Sequence, residues 1–125
     1  MKRFVILVLP LVLAACATTP PGAAPAATSW LVGTWLMPDE STPFPLGCNS
    51  DQPIRYQADG TFVFEDERGT WSLNGTRLTE TLTEGGEPTE HGRPHVSQLI
   101  QAGPDTFAKT LESGAAVTFR RCPAP

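Results

Sequence analysis

The chain has 125 residues, enough for one folded domain, and its 13 acidic residues outnumber its 9 lysines and arginines to give a formal net charge of −4. Phosphate backbones and anionic lipid surfaces are bound by clustered basic side chains. This charge therefore argues against a nucleic-acid partner and against electrostatic binding to a membrane surface. If charge steers any protein partner, that partner is basic.

Residues 1–15 have the pattern of an export signal. Lys2 and Arg3 precede an apolar run at residues 4–13, and two alanines stand directly before Cys16. The run is too short to span a bilayer, which takes about twenty apolar residues. The sequence LAAC at residues 13–16 resembles the lipobox of bacterial lipoproteins. The resemblance implies cleavage before Cys16 and lipid on that cysteine, with enough acyl chains to hold the protein stably to a membrane.

The residue after Cys16 is Ala17, where an aspartate is typical of lipoproteins retained in the inner membrane. The resemblance therefore implies an outer-membrane anchor and a domain that faces the periplasm. Removal of residues 1–15 leaves 7 basic residues (9 less 2) against 13 acidic ones, a net charge of −6.

The segment from 16 to 29 consists of the lipidated cysteine and a tether of Ala, Thr, Pro, Gly and Ser. These side chains bury too little surface to offset the entropy of ordering, and the prolines stiffen the segment. We expect the folded domain at residues 30–122 and a short tail at 123–125.

Three cysteines occur, and Cys16 is assigned to the lipid. We predict a disulfide between Cys48 and Cys122, because cysteines pair in oxidising compartments outside the cytosol. A loop of this length stabilises a folded domain by about 4 kcal/mol on the chain-entropy argument. Neither cysteine has the close cysteine or histidine spacing of a metal site. We expect no metal and no cofactor.

From residue 30 onward, short apolar or alternating runs are separated by turn residues, and no stretch has a helical period. Asn74-Gly75 between two such runs is a strong hairpin signal. The runs lie at residues 30–36, 54–57, 61–65, 69–73, 77–83, 96–102, 106–111 and 117–122. We predict an all-β fold, a small antiparallel up-and-down β-barrel of about eight strands with one disulfide; the alternative is a β-sandwich. Such a small barrel is largely filled by its own side chains, so a ligand cavity is not guaranteed.

Two features resemble the lipocalin-like barrels. Gly33-Thr34-Trp35 in the first run is similar to the Gly-x-Trp of that group, and Arg120 or Arg121 stands in the last run. The resemblance implies that one of these arginines packs across Trp35 and closes the barrel floor. It implies little about activity, because the motif is structural.

Two charged residues alternate with apolar ones. Glu80 shares a strand face with Leu78 and Leu82, and Lys109 lies between Phe107 and Leu111. If these faces point inward, Glu80 needs a partner inside a ligand site, either Lys109 or Arg121. The alternative is that the strands present the other face, or that each charge lies in water at the barrel mouth.

Two further groups of polar residues are interpreted as solvated loops. Glu90, His91 and His95 have the spacing E-H-x-x-x-H, but Pro94 argues against the helix that would bring both histidines to one metal ion. The run at 65–67 (EDE) is expected at a hairpin tip, either as a soluble surface or as an acidic rim for a basic protein.

No nucleophile elbow, phosphate loop or dinucleotide fingerprint occurs in the sequence, and we predict that the protein is not an enzyme. The leading hypothesis is a non-catalytic, membrane-tethered barrel of the cell envelope that binds an unidentified partner by its mouth or loops, either a small apolar ligand or a basic protein. One alternative is an inhibitor of lysozyme or a protease that acts through barrel loops. The acidic charge suits lysozyme, which is basic, and Ser113-Gly114-Ala115 slightly resembles an inhibitor motif. The other alternative is a structural envelope lipoprotein.

Overall fold

The computed structural model describes residues 29–125. The predicted signal segment, the lipidation site Cys16 and residues 17–28 of the predicted tether lie outside the described residues.

Eight antiparallel strands form one closed barrel in which each strand pairs with the next along the chain and the eighth pairs with the first. The prediction of an all-β up-and-down barrel is therefore confirmed, and the β-sandwich alternative is wrong. The strands are β1 (Gly33–Leu36), β2 (Ile54–Tyr56), β3 (Thr61–Phe64), β4 (Glu67–Asn74), β5 (Arg77–Glu84), β6 (Pro94–Gln101), β7 (Thr106–Thr110) and β8 (Ala116–Arg121).

The helical content of residues 29–125 is limited to two short 3-10 turns, Leu46–Asn49 and Pro88–Glu90. Neither these turns nor any other helix in that range is long and apolar enough to cross a membrane.

The longest hairpin, β4–β5, shows how the sequence dictates the barrel wall. Trp71 and Leu73 point into the core while their neighbours are exposed, which is the period-two pattern of a half-buried strand. The strands turn at Asn74-Gly75, where Gly75 has a φ of 62°. Gly69 lies where the wall is tightest, because an added Cβ would stand 2.2 Å from the carbonyl oxygen of Thr81.

The floor of the barrel is closed by the turn at residues 30–32, which the sequence predicted to be the start of the first strand. The amide of Val32 donates to the carbonyl of Ser29 at 3.2 Å, and the indole Nε1 of Trp35 donates to the carbonyl of Leu31 at 2.8 Å. Leu31 and Trp35 are fully buried. Gly33, at a φ of 144°, redirects the chain from this turn into β1. The strand prediction for 30–32 is wrong because these apolar side chains fill the barrel end instead of its wall.

Arg121 holds this floor in place. Its guanidinium lies 4.2 Å from the ring centroid of Trp35 and donates to the carbonyls of Trp30 (2.7 Å) and Val32 (2.9 Å). An added Cβ at Gly33 would stand 2.5 Å from Nη1 of Arg121, so a glycine is needed where the guanidinium crosses the chain.

Of the two arginines that the sequence offered for the floor, Arg121 is the one that reaches it, and Arg120 does not belong to the floor. Successive side chains of a strand point to opposite faces, so only one of two adjacent arginines can reach Trp35. Arg120 points outward, where its guanidinium lies 3.9 Å from the ring centroid of Phe44.

Cys48 and Cys122 form the predicted disulfide, which is confirmed. The bond joins the long segment between β1 and β2 to the residue that follows β8, and the two cysteines are 74 positions apart.

Candidate functional site

A cavity of about 360 Å³ lies inside the barrel at the end opposite the floor. We call this end the mouth; the strands that end there are joined by residues 37–53, 65–66, 85–93 and 111–115. The cavity volume is within the range of about 300–1,000 Å³ that is typical of small-molecule sites. The barrel interior is therefore not completely filled by its own side chains. The apolar walls come from Met37, Ile54, Phe62, Phe64, Leu82 and Phe119.

Three polar side chains meet inside this cavity. Lys109 Nζ donates to Glu80 Oε2 at 2.5 Å, and the hydroxyl of Tyr56 donates to Glu80 Oε1 at 2.5 Å. The side chains of Glu80 and Lys109 are each 13% exposed. Both carboxylate oxygens of Glu80 thus have a donor, which is the condition under which a charged group is tolerated in an interior.

Strand alternation explains how the three residues come together. Glu80 lies in β5 between Leu78 and Leu82 on the inner face, and Lys109 is two residues after the buried Phe107 in β7. Of the two partners that the sequence proposed for Glu80, the structure brings Lys109 to it. Arg121 is not its partner, because its guanidinium is at the floor, where it pairs with Asp105 at 3.0 Å.

Tyr56 was missed in the sequence analysis. It is 1% exposed and occupies the second inward position of β2 after Ile54. Burial, together with the neighbouring Glu80 carboxylate, raises the pKa of the Tyr56 hydroxyl well above 10.0. The hydroxyl therefore stays protonated and acts as a donor. The signal that could have found it is alternation within β2, since an inward tyrosine in a barrel needs a polar partner.

A histidine bridges two of the connecting segments at the rim of the mouth. His95 Nε2 lies 2.8 Å from Glu90 Oε2, and His95 Nδ1 lies 3.1 Å from Glu112 Oε1. Glu90 belongs to the β5–β6 segment and Glu112 to the β7–β8 hairpin, so the imidazole fastens one to the other.

The second histidine of the E-H-x-x-x-H sequence is elsewhere. His91 Nε2 contacts the carbonyl of Gly85 at 2.7 Å, so His91 and His95 do not converge. Within residues 29–125, no group of three or more His, Cys, Asp or Glu side chains is placed to hold a metal ion.

The three acidic residues at 65–67 do not lie together in the structure. Glu65 and Asp66 form the exposed tip of the β3–β4 hairpin, with Glu65 at a φ of 52°. Glu67 instead begins β4 and contributes to the cavity wall. The sequence placed all three at the tip because the run gives no sign of where the strand resumes.

Comparison with protein-family models, with curated proteins and with solved structures found no match to this chain.

Proposed function

We propose that this protein is a non-catalytic barrel that binds a small, largely apolar molecule in the cavity at its mouth. The observation that carries the proposal is the combination of apolar walls around about 360 Å³ with one fixed polar group, the Glu80–Lys109–Tyr56 cluster. Small-molecule sites have this composition, because apolar walls supply affinity and a few polar groups fix the orientation.

We also propose that the barrel is anchored through lipid on Cys16 to the outer membrane and faces the periplasm. The sequence pattern before Cys16 is the support for this anchor. The described chain enters at the floor, where Arg121 binds the carbonyls of Trp30 and Val32. The predicted tether therefore joins the barrel at the end opposite the mouth. Incorporation of labelled palmitate into the full chain, lost in Cys16→Ala, tests the anchor separately from binding.

Binding is tested with N-phenyl-1-naphthylamine, a neutral apolar dye whose fluorescence rises in an apolar site. We expect saturable binding to the 29–125 domain. Leu82→Phe places a larger ring in the cavity wall and should weaken dye binding at least tenfold. Ile100→Phe is the matched control, because Ile100 is 66% exposed on the outer face of β6.

Two results would count against the binding proposal. One is a folded domain that leaves the dye non-fluorescent at micromolar protein concentrations. The other is an equal loss of binding in Leu82→Phe and Ile100→Phe, which would place the dye on the outer surface instead of in the cavity.

An inhibitor of lysozyme or of a protease is the second candidate function. The favouring observation is the acidic, exposed character of the mouth hairpins, with Glu65 and Asp66 at one tip and Glu112, 69% exposed, at another. A basic enzyme such as lysozyme is the expected partner for this charge. Slowing of lysozyme at micromolar inhibitor, relieved by salt and by Glu112→Gln, would support this function; unchanged lysozyme and protease rates would exclude it.

A further inference from the structure

We infer that the cavity selects cationic ligands, namely apolar molecules that carry a protonated amine. The inference rests on the proposed binding function and adds the chemical class of the ligand. It follows from the charges of the cavity wall and from Glu67, the one carboxylate of that wall without a partner among residues 29–125.

The charges of the wall are strongly unbalanced. Seven of the nine lysines and arginines lie in residues 29–125. Of these seven, only Lys109 lines the cavity. Four carboxylates line it: Asp39, Glu67, Glu80 and Glu90. Four negative charges against the one ammonium leave the wall negative for either form of His95: −3 with a neutral imidazole and −2 with an imidazolium. An apolar wall around such a charge focuses the field on a ligand cation.

Three of the four carboxylates already have donors within the chain. Glu80 accepts hydrogen bonds from Lys109 and Tyr56, and the carboxylate of Glu90 contacts His95 and Arg93. Asp39, in the loop after β1, accepts hydrogen bonds from Ser41 and Thr42.

Glu67 differs from the other three, because no hydrogen bond or ion pair joins its side chain to another residue of the range 29–125. Glu67 is half-buried and lines the cavity wall. Gly86 in the β5–β6 segment packs directly against it, since an added Cβ would stand 2.5 Å from Glu67 Oε1 and 3.1 Å from Leu82 Cδ2. The side of Glu67 that a ligand can approach is the cavity, which Leu82 also lines. An ammonium group at Glu67 would therefore have an acceptor and would place its apolar substituent beside Leu82.

The aromatic residues of the wall also favour a cation. The faces of aromatic rings attract ammonium groups, and Phe62, Phe64 and Phe119 all line the cavity. An anionic ligand would instead need Lys109, whose ammonium is bound to Glu80, and would face the remaining negative charge. Anions are therefore the disfavoured class.

The experiment compares three probes with the same alkyl chain and different heads: octylammonium, octanol and octanoate at pH 7. Binding to the folded 29–125 domain is measured by isothermal titration calorimetry. We expect octylammonium to bind at least tenfold more tightly than octanol, and octanoate to bind most weakly. Raising the salt concentration from 0.05 to 0.5 M (roughly 14 to 4 Å in screening length) should weaken octylammonium binding and leave octanol unchanged.

Variants locate the charge effect. Glu67→Gln should reduce the preference for octylammonium over octanol to about twofold and leave octanol binding as it was. Glu84→Gln removes the same formal charge at an exposed position of β5 and should keep the full preference.

The outcomes separate the two proposals. Equal binding of the three probes, or tightest binding of octanoate, would overturn the cation inference while leaving the apolar site in place. An unchanged preference in Glu67→Gln would overturn the assignment to that carboxylate. Absence of binding by all three probes and by the dye would overturn the binding function, and with it the inference.

Discussion

Replacement of Lys109 by methionine removes the positive partner of Glu80 while keeping a side chain of similar length and an apolar stem. Both side chains of the pair are 13% exposed, so the carboxylate that remains is mostly withdrawn from water. Breaking a buried pair in this way costs about 3–5 kcal/mol, and a single hydrogen bond to a charged group contributes about 1.5–3 kcal/mol. Glu80 keeps the hydroxyl of Tyr56 as a donor and borders an open cavity, so the lower part of these ranges applies. We expect Lys109→Met to lower the free energy of unfolding by about 2–3 kcal/mol.

A double-mutant cycle isolates the pair from other effects of the substitution. Glu80→Gln alone leaves an ammonium without its carboxylate and should cost a similar amount. The double variant leaves no unpaired charge and should be more stable than the sum of the two single changes predicts, by about 2 kcal/mol. Arg77→Met, at an exposed position of β5, is the control for loss of a basic residue and should change stability by less than about 0.5 kcal/mol.

Urea unfolding of the 29–125 domain and its four variants, followed by tryptophan fluorescence, measures the five free energies of unfolding. In thermal unfolding, a loss of about 2 kcal/mol corresponds to a fall in Tm of roughly 8–16 °C for a domain of this size. The reasoning is refuted if Lys109→Met costs no more than Arg77→Met, or if the costs of Lys109→Met and Glu80→Gln simply add.

Three further predictions concern other parts of the barrel. The variant with both Cys48 and Cys122 replaced by alanine should lose about 4.5 kcal/mol in urea unfolding, from the 74-position separation and the chain-entropy relation; equal stability of this variant and the oxidised protein would contradict that origin. Arg121→Lys should lower stability by about 2 kcal/mol, since lysine cannot bind two carbonyls while stacking on an indole, and a Tm shift below 2 °C would be the contrary result. Tyr56 is the chain's single tyrosine, so the ultraviolet absorbance of the phenolate reports its ionisation alone. Its pKa is raised above 10.0 in the fold, so the folded state keeps a proton that the unfolded chain loses. The contribution of Tyr56 to stability should therefore be constant below pH 10 and fall above it, whereas ionisation near pH 10 without unfolding would disprove its burial.

The barrel could be predicted from local sequence because its strands connect only to their neighbours. Alternation and turn residues such as Asn74-Gly75 are local signals, and in a meander they define the order of the strands as well as their number. The turn at 30–32 was the exception. Its apolar residues also fit the pattern of a strand. What makes this segment the barrel floor is that Arg121, near the other end of the chain, binds the carbonyls of Trp30 and Val32.

The site was harder to predict than the fold, for a physical reason. Alternation places Glu80 with Leu78 and Leu82 on one face, but it does not say whether that face points inward, nor which strand stands across the barrel. The contacts of Glu80 with Tyr56 and Lys109 span 24 and 29 positions. Such contacts are set by barrel closure and side-chain size, which no short window of sequence contains.

Closure of the sheet itself depends on a single seam between the first strand and the last. β1 and β8 share two register pairs, whereas β4 and β5 share seven. The seam is reinforced by the amide of Cys122, which donates to the carbonyl of Thr34 at 2.8 Å, by the guanidinium of Arg121 and by the disulfide to Cys48. An open seam would present two unpaired strand edges, which are templates for pairing with another copy of the chain. The covalent bond next to the seam therefore protects the protein against association between molecules as well as against unfolding.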